Sequence, residues 1–172
     1  FNAGAVGAIG GATLTIAGGG ILTNSGVSLI SDGTINFNGS ETVAYLTNNA
    51  FAGPGTGTIN INGVGTVLTL SGGALPSGHS GTISGTGALT VIGGTHVLTG
   101  PNTYTGLTTV SAGTLTITND AALGSTAGGT TVASGATLAL SGGITTAEAI
   151  TLNGTGVSGG GALRSVSASN LI

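Results

Sequence analysis

Seven side chains carry nearly all the acid–base chemistry of this sequence: Asp32, Glu41, Asp120, Glu148, His79, His96 and Arg164. Polysaccharide cleavage on a β-fold needs carboxylates clustered so that one protonates while another attacks or activates water. Here the four carboxylates are scattered. Asp32-Gly33 and Asn119-Asp120 read as turn dipeptides, in which an Asp side chain bonds its own backbone. Glu148 and Arg164 can form a surface pair between neighbouring turns of the chain, worth about 0–1 kcal/mol. His79 and His96 lack the further ligands a metal requires, and with no Cys there is no thiolate to supply them. Both read as ordinary turn or strand residues.

Two short motifs imitate catalytic ones. Gly156-Val157-Ser158-Gly159-Gly160 fits the nucleophile elbow, but no helix can follow it and no His lies downstream to act as base. Gly154 to Gly159 fits the dinucleotide fingerprint without its strand–turn–helix setting or a later acid. The sequons Asn38-Gly39-Ser40 and Asn153-Gly154-Thr155 are expected by coincidence in a chain this rich in Asn, Gly and Thr. The calcium-binding Gly-Gly-x-Gly-x-Asp repeat does not occur. The expectation is no catalytic, cofactor-binding or metal residue, and not an enzyme.

Composition narrows the partners. Of 172 residues, 37 are Gly and 3% are charged, with a formal net charge of -3. Nucleic-acid binding rests on clustered Lys and Arg, so none is expected. Mean hydropathy of +0.54 speaks against disorder. A membrane helix needs about 20 unbroken apolar residues, and Gly interrupts every such run, so no membrane insertion is expected.

Gly at this density also excludes helix, at about 1 kcal/mol for each interior Gly relative to Ala. Between the glycines lie short segments alternating polar with aliphatic: Thr13 to Ile16, Thr34 to Phe37, Thr58 to Ile61, Thr114 to Ile117 and Thr137 to Leu140. A period of two puts Leu, Ile and Val on one face of a strand. The segments recur. Leu14 to Ile35 spans 21 residues, Ile35 to Ile59 spans 24, Val110 to Val132 spans 22, Leu115 to Leu138 spans 23 and Leu138 to Leu163 spans 25. A lone strand of about five residues cannot bury its face. Winding the chain into a coil and stacking equivalent strands solves that problem. The sequence therefore predicts an all-β, right-handed parallel β-helix (a β-solenoid) of roughly seven coils of 20–26 residues. An antiparallel sandwich is the rival, disfavoured because its core would normally hold more aromatics. Residues 1–172 form one domain. The Gly- and Pro-free run 40–52 is expected to be a widened coil, with a lateral loop or short helix as the alternatives.

From Gly100 to Gly143 the residues become specific. Asn102-Thr103-Tyr104-Thr105-Gly106, Thr108-Thr109-Val110, Thr114 to Ile117, Ala122-Leu123-Gly124-Ser125 and Gly135 to Leu140 run in succession. This quarter of the chain resembles the autotransporter-associated β-strand repeat, or passenger-associated transport repeat, of bacterial surface proteins. The resemblance implies a parallel β-helix displayed outside a bacterial cell. Only one complete Asn-Thr-Tyr-Thr-Gly motif is present and no membrane barrel follows. The chain is thus expected to be a passenger excerpt or a self-standing subunit.

The expected role is structural: a segment of an extracellular bacterial fibre whose terminal coils pair with copies of itself or with adjacent repeats of the same polypeptide. Neither Phe1 to Ser31 nor the stretch after Arg164 carries a charge to protect a sheet edge. The alternative is an adhesin passenger binding a glycan or host protein, for which the available aromatics are Phe1, Phe37, Tyr45, Phe51 and Tyr104. Two remoter readings are a polysaccharide-active enzyme and an ice-binding solenoid. The second is suggested by Thr-x-Thr pairs such as Thr13/Thr15 and Thr114/Thr116, which do not recur at one position in every predicted coil.

Overall fold

The computed structural model describes residues 6–9, 12–16, 27–30, 33–48, 57–72 and 77–172. Through them run β1 (Val6–Ile9), β2 (Thr13–Ile16), β3 (Val27–Ile30), β4 (Thr34–Phe37), β5 (Glu41–Val43), β6 (Leu46–Asn48), β7 (Thr58–Ile61) and β8 (Val67–Leu70). Then follow β9 (Ser77–His79), β10 (Thr82–Gly85), β11 (Ala88–Leu98), β12 (Thr108–Ile117), β13 (Thr130–Val132), β14 (Ala136–Ser141), β15 (Ile150–Leu152) and β16 (Leu163–Ser167). Every strand pairing among the described residues is parallel, so each strand lies on its equivalent in the next turn. The chain is a β-solenoid of about six turns, close to the seven expected.

All five spacings read from the sequence are true stacking registers. Leu14 sits on Ile35, Ile35 on Ile59, Val110 on Val132, Leu115 on Leu138 and Leu138 on Leu163. Coil length varies more widely than 20–26 residues. Ile83 and Asn102, bonded across adjacent turns, are 19 apart, whereas Ser40 and Val67 are 27 apart. The difference is absorbed at the corners, because register is set by the stacked aliphatics and not by the connections.

The interior is built from columns of like residues. Val43, Leu70, Val91, Val110, Val132 and Leu152 form one, along the order β5-β8-β11-β12-β13-β15. Burying each such side chain contributes about 1.5–3 kcal/mol, which is how strands too short to stand alone are held. Strands β11 and β12 each turn a corner in mid-course, where their register shifts between Val91 and Thr95. Gly113 makes this possible. Its φ is +77° and a Cβ there would strike the Gly94 carbonyl oxygen of the coil below.

On the outward side of β2, β4, β7 and β10, polar side chains bond along the rod. Asn36 donates to Thr15 Oγ1 (3.4 Å), Asn60 to Asn36 Oδ1 (2.7 Å), and the Ser84 hydroxyl to Asn60 Oδ1. In the run 40–52, β5 and β6 are regular coil strands, and residues 49–52 lie outside the described residues. After β15 the chain makes a 3-10 turn, Val157–Gly159, whose Val157 N–H donates to Thr137 Oγ1 (2.9 Å), while the Thr137 hydroxyl donates to the Gly161 carbonyl (3.0 Å).

Candidate functional site

Among the described residues the carboxylates do not assemble. Asp32 lies outside the described residues. Glu41 and Glu148 belong to opposite ends of the face running from β5 to β15. Glu41 points inward from β5, stacked on Leu68, and neither of its buried carboxylate oxygens has a hydrogen-bond partner. Glu148 is buried just before β15, where the Thr130 hydroxyl donates to its Oε1 (3.2 Å). Burial raises its carboxyl above the ordinary range, and the Thr130 hydrogen bond works against that. The expected pair with Arg164 does not form: Thr130 holds the carboxylate, and Arg164 stands exposed on β16.

Asp120 also departs from expectation. The local turn is closed by Asn119, whose Oδ1 accepts the Ala121 N–H at 3.0 Å. Asp120 Oδ1 instead accepts the N–H of Thr145 in the next coil, at 2.7 Å. Its role is to tie coils together where the chain runs without a regular strand.

Both histidines are strand residues that face inward, in neighbouring coils. His79 stacks on Leu98, and His96 lies between Ser77 and Leu115. His96 Nε2 sits 3.0 Å from the Gly93 carbonyl. Burial lowers its pKa, partly opposed by that bond. His79 is 1% exposed and neither ring nitrogen has a partner. Desolvation alone lowers its pKa to about 4, so it is neutral at physiological pH. No group of three or more His, Asp or Glu among the described residues could hold a metal.

Ser158 of the imitation nucleophile elbow does adopt a left-handed backbone, φ 50° and ψ 29°. It lies exposed in the 3-10 turn, whereas both histidines are buried inside the coils, so no base serves it. The sequon residue Asn38 accepts a hydrogen bond from Asn62 (2.9 Å), and Asn153 donates to the Val132 carbonyl (3.1 Å).

The distinctive motif at 102–106 proves to be interior architecture. Asn102 is buried and bridges three turns: its Oδ1 accepts the Ile83 N–H at 2.8 Å, and its Nδ2 donates to the Ala122 carbonyl. Tyr104 is fully buried, with its hydroxyl 2.6 Å from Thr108 Oγ1. The Thr108 hydroxyl donates onward to the Leu123 carbonyl (3.2 Å), so Tyr104 is the donor to Thr108. Burial pushes the Tyr104 phenol pKa well up. Gly124, φ +89°, lies directly over this ring; a Cβ there would come within 2.9 Å of Tyr104 Cε2. The spacing of Asn, Tyr and Gly is thus one packing unit.

One arrangement emerges only with the fold. Thr42, Thr69, Thr90, Thr109, Thr131 and Thr151 stack in unbroken register on the outward side of β5, β8, β11, β12, β13 and β15. The Thr-x-Thr pairs are not expected to recur in every coil; what recurs is a single outward threonine flanked by inward residues. A triplet with central Thr and final Val or Leu marks each rung, from Glu41-Thr42-Val43 through Thr108-Thr109-Val110 to Ile150-Thr151-Leu152.

Fold and geometry together define a parallel β-solenoid with a scaffold interior and, on its outward side, a six-rung threonine column beside the shorter register of Thr13, Thr34, Thr58 and Thr82. No family model, curated protein or solved structure matches this chain.

Proposed function

We propose that the chain is a structural segment of a bacterial surface fibre, outside the cell, in which coils stack end to end on copies of itself or on further repeats of the same polypeptide. One observation carries this reading. Leu152 occupies the same inner column as Val43, Leu70, Val91, Val110 and Val132, which are at most 1% exposed, yet it is 43% exposed. Leu171, bridged to Thr145, and Ile172 are 63% and 53% exposed. The last coil offers an aliphatic cross-section and strand edges of the kind that every earlier coil buries under the next one. A further coil placed there gains about 1.5–3 kcal/mol for each such side chain covered, before ordering costs. The resemblance of Gly100 to Gly143 to passenger repeats supports the extracellular setting.

Negative-stain imaging with size-exclusion chromatography tests the proposal. End-to-end rods that shorten or vanish in Leu152→Asp are expected. A monodisperse monomer at all concentrations would count against self-stacking. Capture of a glycan without rods would favour an adhesin.

A further inference from the structure

The threonine column is the longest register of outward hydroxyls among the described residues, six rungs against the four of Thr13, Thr34, Thr58 and Thr82 on β2, β4, β7 and β10. The outward amides of the Asn36–Asn60–Ser84 ladder satisfy each other, and buried threonines bond to the protein, as Thr108 does to Leu123 and Thr130 to Glu148. The hydroxyls of Thr42, Thr69, Thr90, Thr109, Thr131 and Thr151 make no hydrogen bond within the protein. Solvent is their only partner.

We infer that this face is an ice-binding surface, its ligand the ordered water of an ice lattice. Parallel strands repeat at about 4.8 Å, so one hydroxyl and one methyl recur at that interval over six rungs. That interval is close to the oxygen repeat along the basal axis of hexagonal ice. Threonine suits the task physically. Its branched Cβ restricts χ1, so hydroxyls in identical strand environments point alike without a fresh entropy cost. Water bridging such fixed groups keeps nearly the enthalpy of direct hydrogen bonds. Beside the column stand Val67, Ala88 and Leu107, the last 44% exposed, which add apolar surface where water cannot compete for protein hydrogen bonds.

Among the described residues no charged side chain stands on this face. Glu41 points inward, Glu148 is buried, Asp120 lies in the turn after β12 and Arg164 on β16. A strongly hydrated ion would hold water in its own geometry and spoil the match. A glycan is the less fitting occupant, because sugar rings stack on exposed aromatics: of the described aromatics Phe37 and Tyr104 are spent in the core, and half-buried Tyr45 lies between β5 and β6, outside the column. The inference does not rest on end-to-end stacking, since it concerns a flank of the rod.

The test is ice-recrystallisation inhibition and thermal hysteresis on the purified chain, with circular dichroism confirming that each variant keeps its fold. Thr90→Tyr and Thr109→Tyr place rings in the middle of the column. Thr103→Tyr places one at an exposed position beside β10, where the Thr103 N–H donates to the Ile83 carbonyl, on a different face and outside any threonine register. Wild type and Thr103→Tyr are expected to inhibit recrystallisation equally, and the Thr90 and Thr109 variants to fall to the buffer baseline while folded. Folded wild type without activity overturns the inference. So does equal loss in Thr103→Tyr, which would make the effect nonspecific. A change of oligomeric state confined to Thr90→Tyr and Thr109→Tyr, with recrystallisation inhibition unchanged, would assign the face to a second copy instead.

Discussion

Replacing His79 with Leu should make the solenoid more stable and remove much of its sensitivity to mild acid. His79 stands at an inward position stacked on Leu98, in a column that continues through Ile117 and Leu140. Both its ring nitrogens are buried without partners. An unsatisfied buried polar group costs about 1–3 kcal/mol, and a leucine of similar volume removes that cost while matching the column above. The pH dependence follows from the folded-state pKa of about 4 against 6.5 unfolded. Between those values the unfolded chain binds the proton and the folded chain does not, so stability falls as pH drops from 6.5 to 4. It is fully retained above 6.5 and levels off below 4. The full shift corresponds to a loss of roughly 3 kcal/mol from this residue. Glu148, whose carboxyl is raised by burial, contributes with opposite sign, so the informative quantity is the difference between wild type and variant. Urea denaturation followed by circular dichroism at pH 7.5 and pH 4.5 measures it. His79→Leu should have the higher midpoint at both, with the larger gain in acid. Equal pH slopes, or a variant less stable than wild type at neutral pH, would refute the placement of an unpartnered imidazole in the core.

The Asn–Tyr–Gly unit gives two further expectations. Asn102→Leu strands the Ile83 N–H and the Ala122 carbonyl inside the coil, at about 1–3 kcal/mol each, so its melting midpoint should fall far more than that of Asn153→Leu, a surface control. Gly124→Ala must place a Cβ at φ +89° against both the Tyr104 carbonyl oxygen (2.7 Å) and the Tyr104 ring (2.9 Å); it should lose stability beyond the ~1 kcal/mol typical of a left-handed site, and Tyr104→Leu should relieve only the ring's share of the excess in a double-mutant cycle.

How much of this was legible in the sequence depends on which residues set the register. Leu14, Ile35, Ile59, Leu115, Leu138 and Leu163 announce themselves, because aliphatics at strand spacing have one use in a chain so rich in Gly and so poor in charge. The threonine column did not. Its rungs are separated by 19 to 27 residues, since corners of different length intervene, and no fixed period finds them. Only the x-Thr-Val/Leu triplet, aligned on its inward final residue, could have done so. Asn102 was recognisable as part of a motif but not as an interior residue, because polarity alone points outward, and its two bonds to neighbouring turns exist only once three coils are stacked. The same holds for Asp120, whose partner Thr145 is 25 residues away. Glu41 and His79 occupy positions that pattern would give to an aliphatic, and nothing local marks them.

The central claim is that equivalent residues of successive coils lie one strand spacing apart along a single axis. The chain has no Cys, so paired spin labels can be placed cleanly on the threonine column. Labels at Thr69 and Thr151 stand four rungs apart, and labels at Thr42 and Thr151 five. Pulsed electron resonance should report about 19 Å and about 24 Å between the backbone sites, an increment of one strand spacing, allowing for the label arms. Distances that fail to grow with rung number, as antiparallel hairpins would give, would contradict the account.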